Sequence, residues 1–230
     1  MVFEWLQTSY FGIVISIFFY ELGLIIQRKT QIPLFHPLLI SVVMIIGTLL
    51  FFDIDIEYYN RGGDIIEFAL GPATVVLAVP LYKKLELLKS NLIPILGGVT
   101  AGCITAITSG WYLAKLFGLS EVIGFSIIPK SVTTPIAMEI SEQIGGIHSL
   151  TVAIVVMTGI LGAVIGPVIM KIFNIEDEIA RGLAMGTACH AIGTAKALEL
   201  GETEGAMSSL AIGLAGLITV LLVPVFVLLI

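Results

Sequence analysis

In the stretch MGTACHAIGTAK (Met185–Lys196), Thr187, His190 and Thr194 are spaced three and four residues apart. On a helix that register puts three side chains on one face. A histidine between two hydroxyls can donate or accept a hydrogen bond and can change protonation near neutral pH. Gly186 and Gly193 flank His190 and would let the backbone open and present amide N–H groups to a ligand. The alternative for His190 is a helix-packing histidine bonded to a neighbouring carbonyl. Lys196 would either meet a carboxylate or snorkel to lipid headgroups.

A second cluster lies in IIPKSVTTPIAMEIS (Ile127–Ser141), where Pro129 and Pro135 bracket Lys130, Ser131, Thr133 and Thr134. Neither proline fits inside an unbroken helix, because each removes a hydrogen bond and clashes with the preceding turn. A lysine among hydroxyls at a helix break is a seat for an anion: the helix start adds free N–H groups and partial positive charge. The alternative is a surface loop. A third break, ALGPAT (Ala69–Thr74), holds Gly71, Pro72 and Thr74. It has fewer donors, so it is expected to set backbone shape, with Thr74 as an occasional ligand. Glu21 and Glu139, near span ends, could carry a coupling proton. The chemistry on offer is reversible anion binding. No nucleophile–base arrangement, nucleotide loop, cofactor motif or metal-ligand pattern is present, so an enzyme is not expected.

The chain that must position these residues has 230 of them, 57% hydrophobic and 12% charged, with a net charge of −6 and a mean hydropathy of +1.08. Soluble domains carry about a quarter charged residues. Several stretches here hold roughly 20 mostly apolar residues, enough for a helix to cross a bilayer core. The expected class is an all-α polytopic membrane protein. With no basic stripe, nucleic acid is not an expected partner. Cys103 and Cys189 lie in apolar stretches and do not suggest a disulfide framework. The N-terminal span lacks a basic n-region and a small-residue cleavage site, so it reads as a retained helix.

Eight hydrophobic elements run about Thr8–Ile26, Pro33–Phe52, Ile65–Tyr82, Leu92–Phe117, Glu121–Ser141, Ser149–Ile172, Ile179–Leu198 and Gly205–Ile230. The third, fifth and seventh are interrupted by glycine, proline or hydroxyl residues. ALGPAT resembles AMGTAC (Ala184–Cys189) at an offset of 115, and AGCIT (Ala101–Thr105) matches AGLIT (Ala215–Thr219) at an offset of 114. The offset is half the chain, so residues 1–115 and 116–230 read as two structural repeats of one membrane domain. Paired interruptions in two halves point to a shared binding site in transporters. Lys and Arg follow elements one, three and six, which places the N-terminus outside and implies inverted halves of about seven to eight segments. One element in each half would then be re-entrant. Parallel halves are the alternative.

The strings GPATVVLAVPLYKK, PKSVTTPIAMEIS and CHAIGTAKALELGE, in this order and spacing, resemble the LrgB/CidB family of bacterial membrane proteins along nearly the whole chain. That family usually has Ser before the histidine, where this chain has Cys189, a weaker hydrogen-bond partner. The resemblance implies an antiholin-like or holin-like modulator of murein hydrolase export and autolysis in the bacterial cytoplasmic membrane, beside a small LrgA/CidA-type partner. It also implies kinship with carriers of glycolate, glycerate and pyruvate. The first expectation is a secondary carrier of a small monocarboxylate, working as a homodimer with a coupling proton or cation. The second is the antiholin or holin-like role.

Overall fold

The computed structural model describes residues 8–30, 37–69 and 85–230, together with Phe35, Pro72 and Tyr82. Among them every regular element is a helix. In chain order these are α1 (Ser9–Thr30), α2 (Pro37–Phe51), α3 (Ile56–Phe68), α4 (Leu85–Ser90), α5 (Leu92–Leu116), α6 (Glu121–Ile127), α7 (Thr134–Gln143), α8 (His148–Ile172), α9 (Glu178–Leu200) and α10 (Glu202–Leu229). Four of them, α1, α5, α8 and α10, are long and apolar enough to cross a membrane, and α2 is a shorter apolar helix. Only 22% of each crossing window is buried within the protein. The outward faces carry Ile, Leu, Val and Phe, a surface that water would not tolerate and lipid does.

The chain forms two compact units, Met1–Val76 and Leu77–Ile230. In the first unit α1 lies against α2 and α3 without room for side chains at the crossings. A Cβ on Gly12 would strike the Tyr59 carbonyl, and one on Gly23 would lie 2.8 Å from the Pro37 carbonyl. Phe11, Phe19, Ile45 and Leu49 fill the space between.

In the second unit the fifth expected element does not cross as one rod. After the α5 C-terminus, α6 runs back along α5, with Gly124 against Trp111 and Ile127 against Gly110. Residues 128–133 then form a turn. Pro129 lies in it, and Pro135 sits in the first turn of α7, where a missing N–H has no partner to lose. Helix α7 leads back out and pairs with α8 in the opposite direction, Ala137 beside Val155 and Ser141 bonded to Thr151.

The seventh expected element also reverses. His190 has φ 43° and ψ −138°, and the two stretches of α9 on either side of it are separate limbs. A Cβ on Gly193 would lie 2.5 Å from the Met185 carbonyl, although eight residues of straight helix rise about 12 Å. The first limb (178–189) runs antiparallel to α8, with Met185 against Gly166 and Cys189 against Gly162. The second limb returns, and α10 follows parallel to the first: Gly182 meets Glu204 and Gly186 meets Ser208. Arg181, 30% exposed, and Glu204, 3% exposed, close the base as a half-buried ion pair. The two-limbed course corrects the single-face reading of Thr187, His190 and Thr194, because Thr194 lies on the returning limb and bonds to Ser208 instead. Gly186 is likewise not the opening point; it admits the α10 backbone.

The spans carrying AGCIT and AGLIT, α5 and α10, run the same way. Ile95 and Val99 pack with Met207 and Ala211, and further along Ile107 and Trp111 pack with Val223. For these two spans the direction is that of the parallel alternative.

The α8–α9 crossing yields a prediction. Gly162→Val should destabilise the detergent-solubilised protein by about 1–3 kcal/mol, since the new side chain has to displace Cys189. Gly213→Val, with nothing within 4 Å of its added Cβ, should change the thermal midpoint little. Equal midpoints for the two variants would show that the crossing is looser than described.

Candidate functional site

The turns of the two hairpins converge on one residue of α8. Val132, from the first turn, packs on the Val155 side chain. His190, from the second, donates Nε2–H to the Val155 carbonyl at 2.9 Å. Here the chain leaves its helical hydrogen-bond ladder, and side chains supply what the ladder cannot. Lys130 Nζ donates to the Ala106 carbonyl of α5 at 2.7 Å. Ser126 Oγ accepts from the Ile147 amide at 2.7 Å, and the Ser126 carbonyl accepts from Thr151 Oγ1 at 3.2 Å.

Beside this meeting point opens a cleft of about 950 Å³. Its walls are mostly apolar: Pro94 and Gly98 of α5, Leu161, Ile165 and Ile169 of α8, and Leu183 of the first α9 limb. Lys130, Ser131, Thr158 and Thr187 supply polar groups at the hairpin-tip end. Asn91, just before α5, and Asp177, the N-cap of α9, line it as well. The cleft therefore extends from the tips to the end of the unit where α5 and α9 begin.

Thr187 is 6% exposed, and its buried Oγ1 has no hydrogen-bond partner in the structure. A buried hydroxyl left unpaired costs about 1–3 kcal/mol, which a ligand able to bond with it recovers. Among the described residues, Lys130 is the one cationic side chain on the walls. An ammonium has three N–H donors, and the Ala106 carbonyl takes one. At the hairpin-tip end of the cleft, away from Asp177, one positive charge and hydroxyls suit a small anion of single charge with an apolar remainder.

Of the residues expected from sequence, the structure brings Lys130, Ser131 and Thr187 to the cleft. Thr133 and Thr134 begin α7 and are not on its walls. His190 is 4% exposed and bonded to Val155, the packing alternative of the sequence reading. Gly193 packs on Met185 and Cys189, while Lys196 pairs with Glu199 at 2.7 Å. Gly71 and Thr74 lie outside the described residues; Pro72 is described without its neighbours. Glu21 and Glu139 are exposed. Thr158 and the Arg181–Glu204 pair were not legible as special, although opposite charges on the first limb of a hairpin and on the helix that follows it are a signal once the reversal is known. Among the described residues no group of three or more His, Cys, Asp or Glu could hold a metal ion.

Long outward-apolar helices joined by helical hairpins, and a polar-ended cleft at the hairpin tips, make this an integral membrane protein. The chain belongs to the LrgB-like family, whose sequence model matches residues 16–229. It is similar to the antiholin-like protein LrgB of Bacillus mycoides (strain KBAB4) and that of Bacillus cereus (strain B4264). Each is 39% identical over 221 residues, 96% of this chain and 96% of the relative. The antiholin-like protein LrgB of Bacillus anthracis (strain CDC 684 / NRRL 3495) is similar to the same extent. No solved structure matches.

The two threonines of α9 should respond differently to loss of the hydroxyl. Thr194→Val strands Ser208 and should cost about 1–3 kcal/mol of stability. Thr187→Val removes an unpaired hydroxyl and should leave the thermal midpoint in detergent unchanged or raised. A large drop for Thr187→Val would mean that this hydroxyl has a structural partner.

Proposed function

We propose that this protein acts as an antiholin-like component of the bacterial cytoplasmic membrane, restraining murein hydrolase export and autolysis together with a small LrgA/CidA-type partner. The observation that carries the reading is likeness over 96% of the length to proteins named antiholin-like. In this reading the two hairpins of the second unit are re-entrant. Each dips into the bilayer from its own face and returns, with the three long helices α5, α8 and α10 as full crossings. The peptide groups at their tips are tolerated at depth because protein side chains satisfy them. Together with the first unit, this accounts for roughly the seven to eight segments and for an inverted arrangement inside the second unit. Assembly as a homodimer belongs to the same proposal.

A second reading concerns what the protein moves, and the cleft favours it. A pore wall has no use for a lone lysine beside an unpaired buried threonine at the turning points of two hairpins. A carrier of small monocarboxylates such as pyruvate, glycolate or glycerate does. Lys130 would hold the carboxylate, Ser131 and Thr187 would bond to its oxygens or to a neighbouring hydroxyl or keto group, and the apolar walls would take the remainder. A coupling proton or cation would travel with it. An antiholin-like effect on autolysis would then follow from the metabolic state of the cell.

The readings separate experimentally. In a strain lacking the gene, restoring it should slow detergent-induced autolysis; no change in the autolysis rate would remove the antiholin-like role. In proteoliposomes, the carrier reading expects saturable uptake of labelled pyruvate, glycolate or lactate. It also expects Lys130→Met to weaken apparent affinity about tenfold or more, equivalent to about 1.4 kcal/mol. Unsaturable leakage graded by solute size, or unchanged affinity in Lys130→Met, would exclude it.

A further inference from the structure

Residues 121–172 and 178–229 are two copies of one design, equal in length, and each is a helical hairpin followed by a long helix. The correspondence holds at an offset of 57. Pro167 of α8 and Pro224 of α10, the prolines inside the two long helices, are related by that offset. Thr151 and Ser208 share it, and each bonds to a hydroxyl of the hairpin preceding its helix, Ser141 and Thr194. Gly159 and Gly216 share it too, and each is covered by the opposite copy's hairpin: His190 over Gly159, Ile136 over Gly216. Helix α8 is antiparallel to the first α9 limb and α10 is parallel to it, so the copies are inverted relative to each other. Such repeats surround transporter sites and exchange roles as access alternates.

The copies are not in the same state. The entering limb of the second hairpin also packs on α5, where a Cβ on Gly102 would lie 2.7 Å from Thr187 Cγ2, but its Asp177, Leu183 and Thr187 line the open cleft along its flank. Its counterpart, the entering limb of the first hairpin, is shut against the second half of the same helix. There Phe125 stacks on Trp111 with ring centroids 5.3 Å apart and planes at 12°. A Cβ on Gly124 would lie 2.8 Å from the Trp111 ring, and one on Gly110 would lie 3.2 Å from Ile127 Cγ2. Ile107, Ile128, Ile140 and Val223 close the space around Trp111. At the mouth, Lys115 bonds Glu121 at 2.9 Å and holds its carboxyl below the usual glutamate range. The positions at the two tips, Lys130 and Thr187, are equivalent under the offset and share the cleft.

We propose that the second unit contains a second passage to Lys130, on the face opposite the cleft, lined by α6 and the C-terminal half of α5 and closed by the Trp111–Phe125 stack. The passage opens when the Trp111–Phe125 stack parts and the first hairpin leaves one flank open beside α5, as the second hairpin does now, while the cleft closes. The same small anion reaches Lys130 from either face in turn. This inference rests on the carrier reading.

The test is a reversible lock. In a Cys103→Ala, Cys189→Ala background, Gly110→Cys and Ile127→Cys stand close enough for a disulfide; a Cβ at 110 lies 3.3 Å from Lys130 Nζ, so the reduced double-cysteine protein is the reference for both uptake and binding. Oxidation with copper phenanthroline should lower labelled-pyruvate uptake into proteoliposomes at least tenfold, and dithiothreitol should restore it. Equilibrium binding of pyruvate to the oxidised protein in detergent should stay within threefold of the reduced protein. Full uptake after complete disulfide formation overturns the second passage. Loss of binding along with uptake overturns it as well, by placing the segment in the site rather than at a gate. Failure of the disulfide to form shows that the closed contact is not held, with the same consequence. Absence of saturable uptake in the Cys103→Ala, Cys189→Ala protein that keeps Gly110 and Ile127 defeats the carrier reading itself, and the inference falls with it.

Discussion

A peptide group in hydrocarbon has no water to bond with, so a chain that turns inside apolar surroundings has to bring its own partners. That constraint explains the polar residues near both turns. His190 is bonded to the Val155 carbonyl, Lys130 to the Ala106 carbonyl, and Ser126 takes the Ile147 amide. These side chains replace rungs that straight helices would have supplied. Val155 stands under both turns, so the two tips meet at one level of α8.

Close backbone approach is the second condition. Association of helices among lipid-like surfaces gains little from burying apolar area, so it depends on van der Waals fit and on small residues at the crossings. The α8 glycines at 159, 162 and 166 take His190, Cys189 and Met185 in sequence, and Gly182 and Gly186 admit the backbone of α10. The result is a tightly packed hairpin whose one opened flank is the cleft. The Arg181–Glu204 pair at its base contributes orientation more than stability, since removing the Glu204 charge from water offsets much of the attraction.

The polar inventory of the cleft is short, and its parts have distinct origins. Lys130 serves two ends at once: its bond to α5 fixes the first turn, and its charge faces the cleft. Thr187 serves no structural bond at all. A group that the fold buries without a partner is the clearest pointer to a ligand that the architecture offers, and it lies at the tip of the second hairpin, where the inverted copies correspond.

The sequence by itself determined the class, through composition and the length of its apolar stretches. It also singled out the two stretches in which the chain turns, expecting interrupted helices there and not reversals: Pro129 and Pro135 bracket a lysine, and His190 stands among glycines in a membrane segment. Thr194 and Thr187 could not be told apart, because spacing by the helical period assumes a straight helix and the backbone at His190 is not straight. Nor was the offset of 57 legible, since inverted copies need only similar geometry and share little beyond Pro167 and Pro224, Thr151 and Ser208, and Gly159 and Gly216. Which hydroxyl would be paired with Ser208 and which left facing a cleft was decided by the tertiary structure alone: a reversal of chain direction moves side chains distant along the helix into contact, and no local pattern encodes the partner it brings.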